Sequence, residues 1–398
     1  MARPTTAPFG SWRSPITPEL VATGGVRLDF VQADGPDLYW LEGRPTEGGR
    51  YVLARRTPDG EIADVTPAGM NVRTTVHEYG GGAYTVRRGV VYFANFADQR
   101  LYRQLPVGSA EPITAEPEVE WGWRYADLRV TPDGRMVYCV RETHYEDREA
   151  VNEIVALPTN GSQAPTVAAT GHDFFSSPRI SRDGRRLAWV TWDHPRMPWD
   201  GSTLWTGDVA RDGDGRVTNT RAVAGGGTES VMQPEWGADG RLYFVSDRTG
   251  WWNLYVWDET TGRATPLAPM EAECGAPQWV FHTRSYAFLG EDRVALSWTR
   301  DGLAHLGVLR LSDGSVEEIE TPYISFGYNS VGEVSALPVA GTPRIATIGA
   351  SASEGPAVVA VDTDSAEITV IKRSSGQAIN PGYISAPEAI QFPTGDRG

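Results

Sequence analysis

Lysine is almost absent from this 398-residue chain: Lys372 stands alone beside 35 arginines. That leaves no phosphate-cradling Gly-x-x-x-x-Gly-Lys-Ser/Thr loop and sets aside P-loop nucleotide chemistry. Cysteine is equally scarce. Cys139 and Cys274 are too few for a disulfide framework in a chain this size, so the sequence predicts a reducing, cytoplasmic setting. No apolar run approaches 18 residues, which excludes a membrane-spanning helix, and the first 20 residues lack the apolar stretch of a signal peptide. Positive charge is in deficit: 36 basic residues against 51 acidic give a net charge of −15. That balance argues against nucleic acid and anionic membrane as partners. Amphipathic helical patterns between apolar segments are missing as well, which excludes a parallel α/β fold.

Catalytic signatures are also lacking. No serine sits in Gly-x-Ser-x-Gly, the strained turn of a hydrolase nucleophile; Gly349-Ala350-Ser351-Ala352-Ser353 lacks the second glycine. The six histidines form no His-Glu-x-x-His, and no cysteine pair has zinc-site spacing. The sequence therefore calls for neither cofactor nor metal. Carboxylate pairs such as Glu118/Glu120 and Glu271/Glu273 could in principle serve a glycosidase. With 51 acidic residues, however, such pairs arise by chance.

What is present in excess is glycine (44), proline (28) and tryptophan (14), the composition of many turns joining short aromatic strands. Short apolar strands recur around Tyr39, Tyr92, Tyr138, Ala188, Tyr243, Ala295 and Ala346, at intervals of 53, 46, 50, 55, 52 and 51 residues. Within a unit, segments such as 126–140, 178–190 and 234–246 read strand, Asp-Gly turn, strand. The Asp-Gly pair supplies the positive φ of a tight turn. Third and fourth strands follow, as in 247–258 and 259–268. Repeated four-stranded antiparallel units without helices predict an all-β, seven-bladed β-propeller. Six blades is the fallback, because the unit at 333–375 lacks its Asp-Gly turn. Trp-Asp pairs at 192–193, 199–200 and 257–258 are too irregular for a once-per-blade signature of 40–45 residues. Ser181–Gly184 only approximates a sialidase-type Asp box.

Propeller geometry then sorts the loops. If the Asp-Gly turns lie on one face, the approaches to each first strand share the other face with the second-to-third-strand loops. There lie 77–82, 121–125, 172–175 and 279–282, together with the long loops 141–152 and 191–203. Aromatic, basic and acidic side chains converge on that face, and loops on a rigid scaffold are where binding concentrates. Individually, large aromatics at such positions commonly pack between blades instead.

Several of these segments resemble the N-terminal propeller of the prolyl oligopeptidase family of serine peptidases, nearest its dipeptidyl aminopeptidase and acylaminoacyl peptidase branch. The residues that carry the resemblance are Gly10–Thr17, His77–Gly82, Trp192–Gly201, Ser246–Tyr255 and Ile384–Thr394. The last resembles that family's junction into an α/β-hydrolase domain bearing the catalytic Ser, Asp and His. The resemblance implies an N-terminal arm over 1–20, a propeller over 21–383 and, over 384–398, the start of a linker to a hydrolase domain that this stretch does not contain. It implies a non-catalytic role: gating the access of short peptides to the hydrolase active site through a narrow tunnel, and helping to position them. The hydrolase domain and short peptides are then the partners. His77, Glu78 and Tyr79 are expected on the hydrolase-facing rim, and Trp123, Arg124, His194, Trp199 and Asp200 along the substrate route. A stand-alone propeller serving as a protein-interaction platform is the alternative.

Overall fold

A computed structural model describes residues 6–210, 213–327, 333–338, 342–376, 379–390 and 392. Seven antiparallel sheets succeed one another along the chain, over 27–64, 84–112, 123–169, 174–225, 231–266, 286–318 and 323–373. Each is built from consecutive strands; six have four, and the seventh has five. The protein is a seven-bladed β-propeller. Every apolar segment that set the sequence repeat is the second strand of its blade, from Asp37–Arg44 in blade 1 to Arg344–Ser351 in blade 7.

The second strands are continuous apolar runs because stacked blades bury both faces of a sheet. All five residues of Leu242–Ser246 are buried, whereas the outermost strand Ile62–Asp64 is exposed throughout. Blade-to-blade packing forms the core. Trp40, for example, is fully buried in a cluster that joins Leu28 and Val31 of blade 1 to Ile348 and Val358 of blade 7.

The Asp-Gly turns join first and second strands, as their spacing implies, but by a different device. Only the glycine adopts positive φ, at 78° for Gly134, 72° for Gly184 and 75° for Gly240. The aspartate is instead a cap: Asp133 Oδ1 accepts from Thr131 Oγ1 at 2.6 Å and from the Arg135 amide at 3.0 Å. Asp183 repeats this with Ser181 and Arg185.

The first strands of successive blades touch one another around the axis. Several carry a bulge at a left-handed residue, Phe30, Asp127, Ser177 and Gln233, where the register to the second strand shifts. Some of these bulges are tied to the next blade. Asp127 Oδ2 accepts from the Ser177 amide at 2.6 Å, and Gln233 Oε1 from the Ser285 amide at 2.7 Å.

Blade 7 accommodates its missing turn by a split inner strand: Tyr323–Phe326 and Ser335–Leu337 both pair with Arg344–Ser351. Among the described residues no strand is exchanged between the first and last blades. Their seam closes through the Phe30 amide on Glu333 Oε2 (2.8 Å), the Ala33 amide on Ser335 Oγ (3.1 Å) and the Val26 amide on the Ser374 carbonyl (2.7 Å). No helix among the described residues is long and apolar enough to cross a membrane.

Candidate functional site

The segment His77–Gly82 reaches the middle of the ring because it ends in three glycines, all at positive φ. A Cβ on Gly81 would lie 2.7 Å from the Phe281 amide nitrogen, so only glycine permits the approach. The Gly80 carbonyl accepts from the Phe281 amide at 3.0 Å and the Gly82 carbonyl from the Asp127 amide at 2.9 Å. Residues leading into blades 2 and 6, which are not neighbours, thus meet across the axis.

Beneath this bridge lies a buried ionic network. Asp127 of blade 3 receives Arg179 of blade 4 at 2.9 Å and His282, ahead of blade 6, at 3.0 Å. Arg179 also holds Glu235 of blade 5 at 3.0 Å, and Glu235 holds Arg129 of blade 3 at 2.8 Å. Burial alone would raise the Asp127 carboxyl. Arg179 and His282 outweigh it and leave the group well below the usual carboxylate range. Where the resemblance implies a tunnel, side chains from four blades span the axis.

Above the bridge, on the face opposite the Asp-Gly turns, a cavity of about 440 Å³ opens. Its walls are aromatic. Trp199 lies 4.5 Å from Trp279 between ring centroids, Tyr79 packs edge-on to Trp279, and Phe174 stacks on Trp192. Its polar lining is acidic, with Glu78, Glu142, Glu149 and Asp173 alongside Arg196 and the histidines.

Five of the eight sequence candidates line this cavity: His77, Glu78, Tyr79, His194 and Trp199. His77 is wedged among Phe174, Trp192 and Phe281. Burial pushes its pKa down to about 4 against the pull of the Glu142 carboxylate, so the ring is neutral at pH 7. Glu78 and Tyr79 project into solvent at the rim. His194 is exposed, with its ring edge-on to Phe174 and its amide on Asp173 Oδ2.

The remaining three do not line it. Arg124 lies behind the wall, where one Nη1 reaches Glu78 at 3.2 Å, Glu142 at 3.5 Å and the Thr75 carbonyl at 3.3 Å. Trp123 packs against the core of blades 2 and 3. Asp200 turns away to accept from the Met197 amide at 3.0 Å.

The residue most clearly missed from sequence is Glu142. The residue is 4% exposed, and its carboxylate takes the His77 amide, Arg124 and His144 together. Its pairing was hidden, because counting residue for residue outward from the Asp-Gly turn sets Glu142 opposite Tyr125, and only the bulge at Asp127 moves it to Arg124. Asn152 is also in the lining; its Nδ2 donates to the Asp173 carbonyl at 2.8 Å.

The fold and face define a class: a propeller with a bridged axis and an acidic, aromatic cavity on one face. No family model and no curated protein matches the sequence. Solved structures do. A Mycobacterium tuberculosis puromycin-hydrolyzing peptidase is 35% identical with a TM-score of 0.87, over 97% of this chain and 59% of its own. A puromycin hydrolase is 35% identical with a TM-score of 0.86, over 96% of this chain and 58% of its own. A prolyl endopeptidase shares the fold at 14% identity and a TM-score of 0.65, over 90% and 51%. This chain matches the N-terminal β-propeller of prolyl oligopeptidase-family peptidases, and it spans a little under three-fifths of the length of the more similar relatives.

Proposed function

We propose that this propeller belongs to a peptidase of the dipeptidyl aminopeptidase and acylaminoacyl peptidase branch, and that it limits access to the hydrolase active site to short peptides while holding their amino end. The observation that carries this reading is the cavity. Its aromatic walls and four carboxylates suit an apolar peptide end bearing an amine, since a charge-assisted hydrogen bond is stronger in a partly desolvated pocket. The bridged axis supports it too. With the middle of the ring spanned, a peptide in this reading approaches across the cavity face, between the propeller and the hydrolase domain.

The partner in this reading is an α/β-hydrolase domain facing the cavity. Phe9, Trp12 and Ile16 near one end and Ile390 and Phe392 near the other are exposed, as befits an arm over 1–20 and a linker beginning at 384 that pack on such a domain. In that junction segment Gln391, Pro393 and Thr394 lie outside the described residues. A cytoplasmic setting fits the cysteines, which are buried and unpaired; burial pushes the Cys274 thiol up to about 12.

Glu78 is the amine anchor in this proposal. It sits on the rim and gives only one oxygen to Arg124, whereas Glu142 is already engaged by three groups. In the complete peptidase, Glu78→Gln is expected to lower kcat/KM on free-amine dipeptidyl substrates about tenfold, the worth of one hydrogen bond to a charged group. Amine-blocked substrates should be unaffected. An unchanged kcat/KM on the free-amine substrates sinks the anchor role.

A further inference from the structure

At the other end of the axis, on the face of the Asp-Gly turns, lies a second cavity of about 240 Å³ that the peptide-handling reading does not use. Its lining includes Arg129, Arg182, Arg284, Glu235, Tyr286 and Ser335. In a chain of net charge −15, this mouth is locally basic. Arg179 and Arg129 share Glu235, and Arg179 also neutralises Asp127. Arg182 and Arg284 have no carboxylate within 4.0 Å among the described residues.

Arg284 is the telling member. Its guanidinium makes one hydrogen bond among the described residues, from Nη2 to the Val31 carbonyl of blade 1, and its buried Nε has no partner. Burial, with Arg129 and Arg179 nearby, disfavours its charge. Glu333, the next carboxyl, does not relieve it. Burial, with Asp29 adding to it, raises the Glu333 pKa, and its Oε2 is spent on the Phe30 amide. Glu235 does favour its charge, but that carboxylate already pairs with Arg129 and Arg179. A partly buried guanidinium so weakly compensated is costly, and an anion entering the mouth removes that cost.

We infer that this mouth is an oxyanion site, in which Arg284 and Arg182 receive a carboxylate or phosphate group while Ser335 and Arg129 border it. The site is independent of the amine-holding cavity at the opposite face. The carboxylate can come from a peptide C-terminus, and the phosphate from a free or esterified small molecule.

Titration calorimetry on the 398-residue chain tests this with three probes: inorganic phosphate, Ala-Ala-Ala with its free carboxylate, and the same peptide as its C-terminal amide. Saturable binding of phosphate or of the free acid is expected below about 10 mM, weakening as salt rises. Phosphate without the peptide assigns the site to free or esterified phosphate; the acid without the amide assigns it to a peptide terminus. Arg284→Gln should weaken either ligand about tenfold or more. Arg182→Ser, at an exposed side chain with no hydrogen bond or ion pair among the described residues, keeps the test decisive should Arg284→Gln unfold, and should weaken binding several-fold. Absence of saturable binding, or binding equal for acid and amide and unmoved by Arg182→Ser, overturns the inference.

Discussion

Replacing Arg179 by methionine tests whether the ring is held by its axial charges as well as by blade packing. Arg179 is 2% exposed and, among the described residues, is the one that bonds both axial carboxylates, Asp127 at 2.9 Å and Glu235 at 3.0 Å. Methionine fills similar volume without charge, so packing changes little while Asp127 keeps only His282 and the Ser177 amide. Removing one partner of a buried pair leaves an uncompensated charge and costs about 3–5 kcal/mol. Glu235 still has Arg129, which keeps the loss toward the lower end. Urea unfolding at pH 7 is the assay, because the midpoint reports stability while the slope reports whether the unfolding unit has changed. The double variant Asp127→Asn/Arg179→Met should lose less than the two single losses combined, since neither charge is then stranded. Acid provides a second check. A carboxyl held below its ordinary pKa contributes stability that is present above pH ~4 and fades as pH falls below it. Arg179→Met should therefore flatten the acid limb of the stability curve. A loss under about 1 kcal/mol, or strict additivity in the double variant, refutes the network as a structural tie.

Two further outcomes follow from the bridge above that network. The His77 pKa is lowered to about 4, so the folded state binds fewer protons than the unfolded chain between pH 6.5 and 4; stability should fall by about 3 kcal/mol across that window. His77→Gln should abolish that part of the decline, as read from urea midpoints at pH 7 and pH 4; an identical decline in the variant contradicts the burial argument. Gly81→Ala places a Cβ 2.7 Å from a backbone nitrogen at a φ of 90°, so it should cost about 1–3 kcal/mol. Thermal unfolding should show the drop, and an unchanged Tm would mean the close approach at Phe281 is not required.

The fold was legible because the second strands of a propeller are the part most sharply marked in sequence. They are apolar on both faces, follow an Asp-Gly turn in blades 1, 3, 4 and 5, and recur at near-constant spacing, so Tyr39 through Ala346 located all seven. The inner strands were legible only where they run into an Asp-Gly turn. Their bulges at Phe30, Asp127, Ser177 and Gln233 interrupt any alternation, and no local propensity announces a left-handed Phe or Gln. For the site, position on a face proved readable and contact did not. His77, Glu78 and Trp199 reach the cavity because their loops do. Trp123 and Asp200 share that face but turn into the core and onto the local backbone, a choice set by the packing of neighbouring blades.

The near-exclusive use of arginine, which carried no message in composition, acquires one at the axis. Seven inner strands leave a central gap too wide for apolar side chains to close from one blade, so whatever fills it must reach across. Arg179 does so with a planar fork: Nη1 meets Asp127 and Nε meets Glu235 in one rigid group. An ammonium has three donors but places them all at one point on a flexible stem, so it lacks the two separate edges that meet these carboxylates. The same chemistry explains why Arg284 can stand beside two other guanidinium groups at the far mouth. A delocalised, weakly hydrated cation tolerates partial burial that a lysine would answer by losing its proton. Bridging the ring and keeping a basic mouth in an acidic protein are therefore two consequences of one residue type, and both are lost to the first approximation if lysine takes its place.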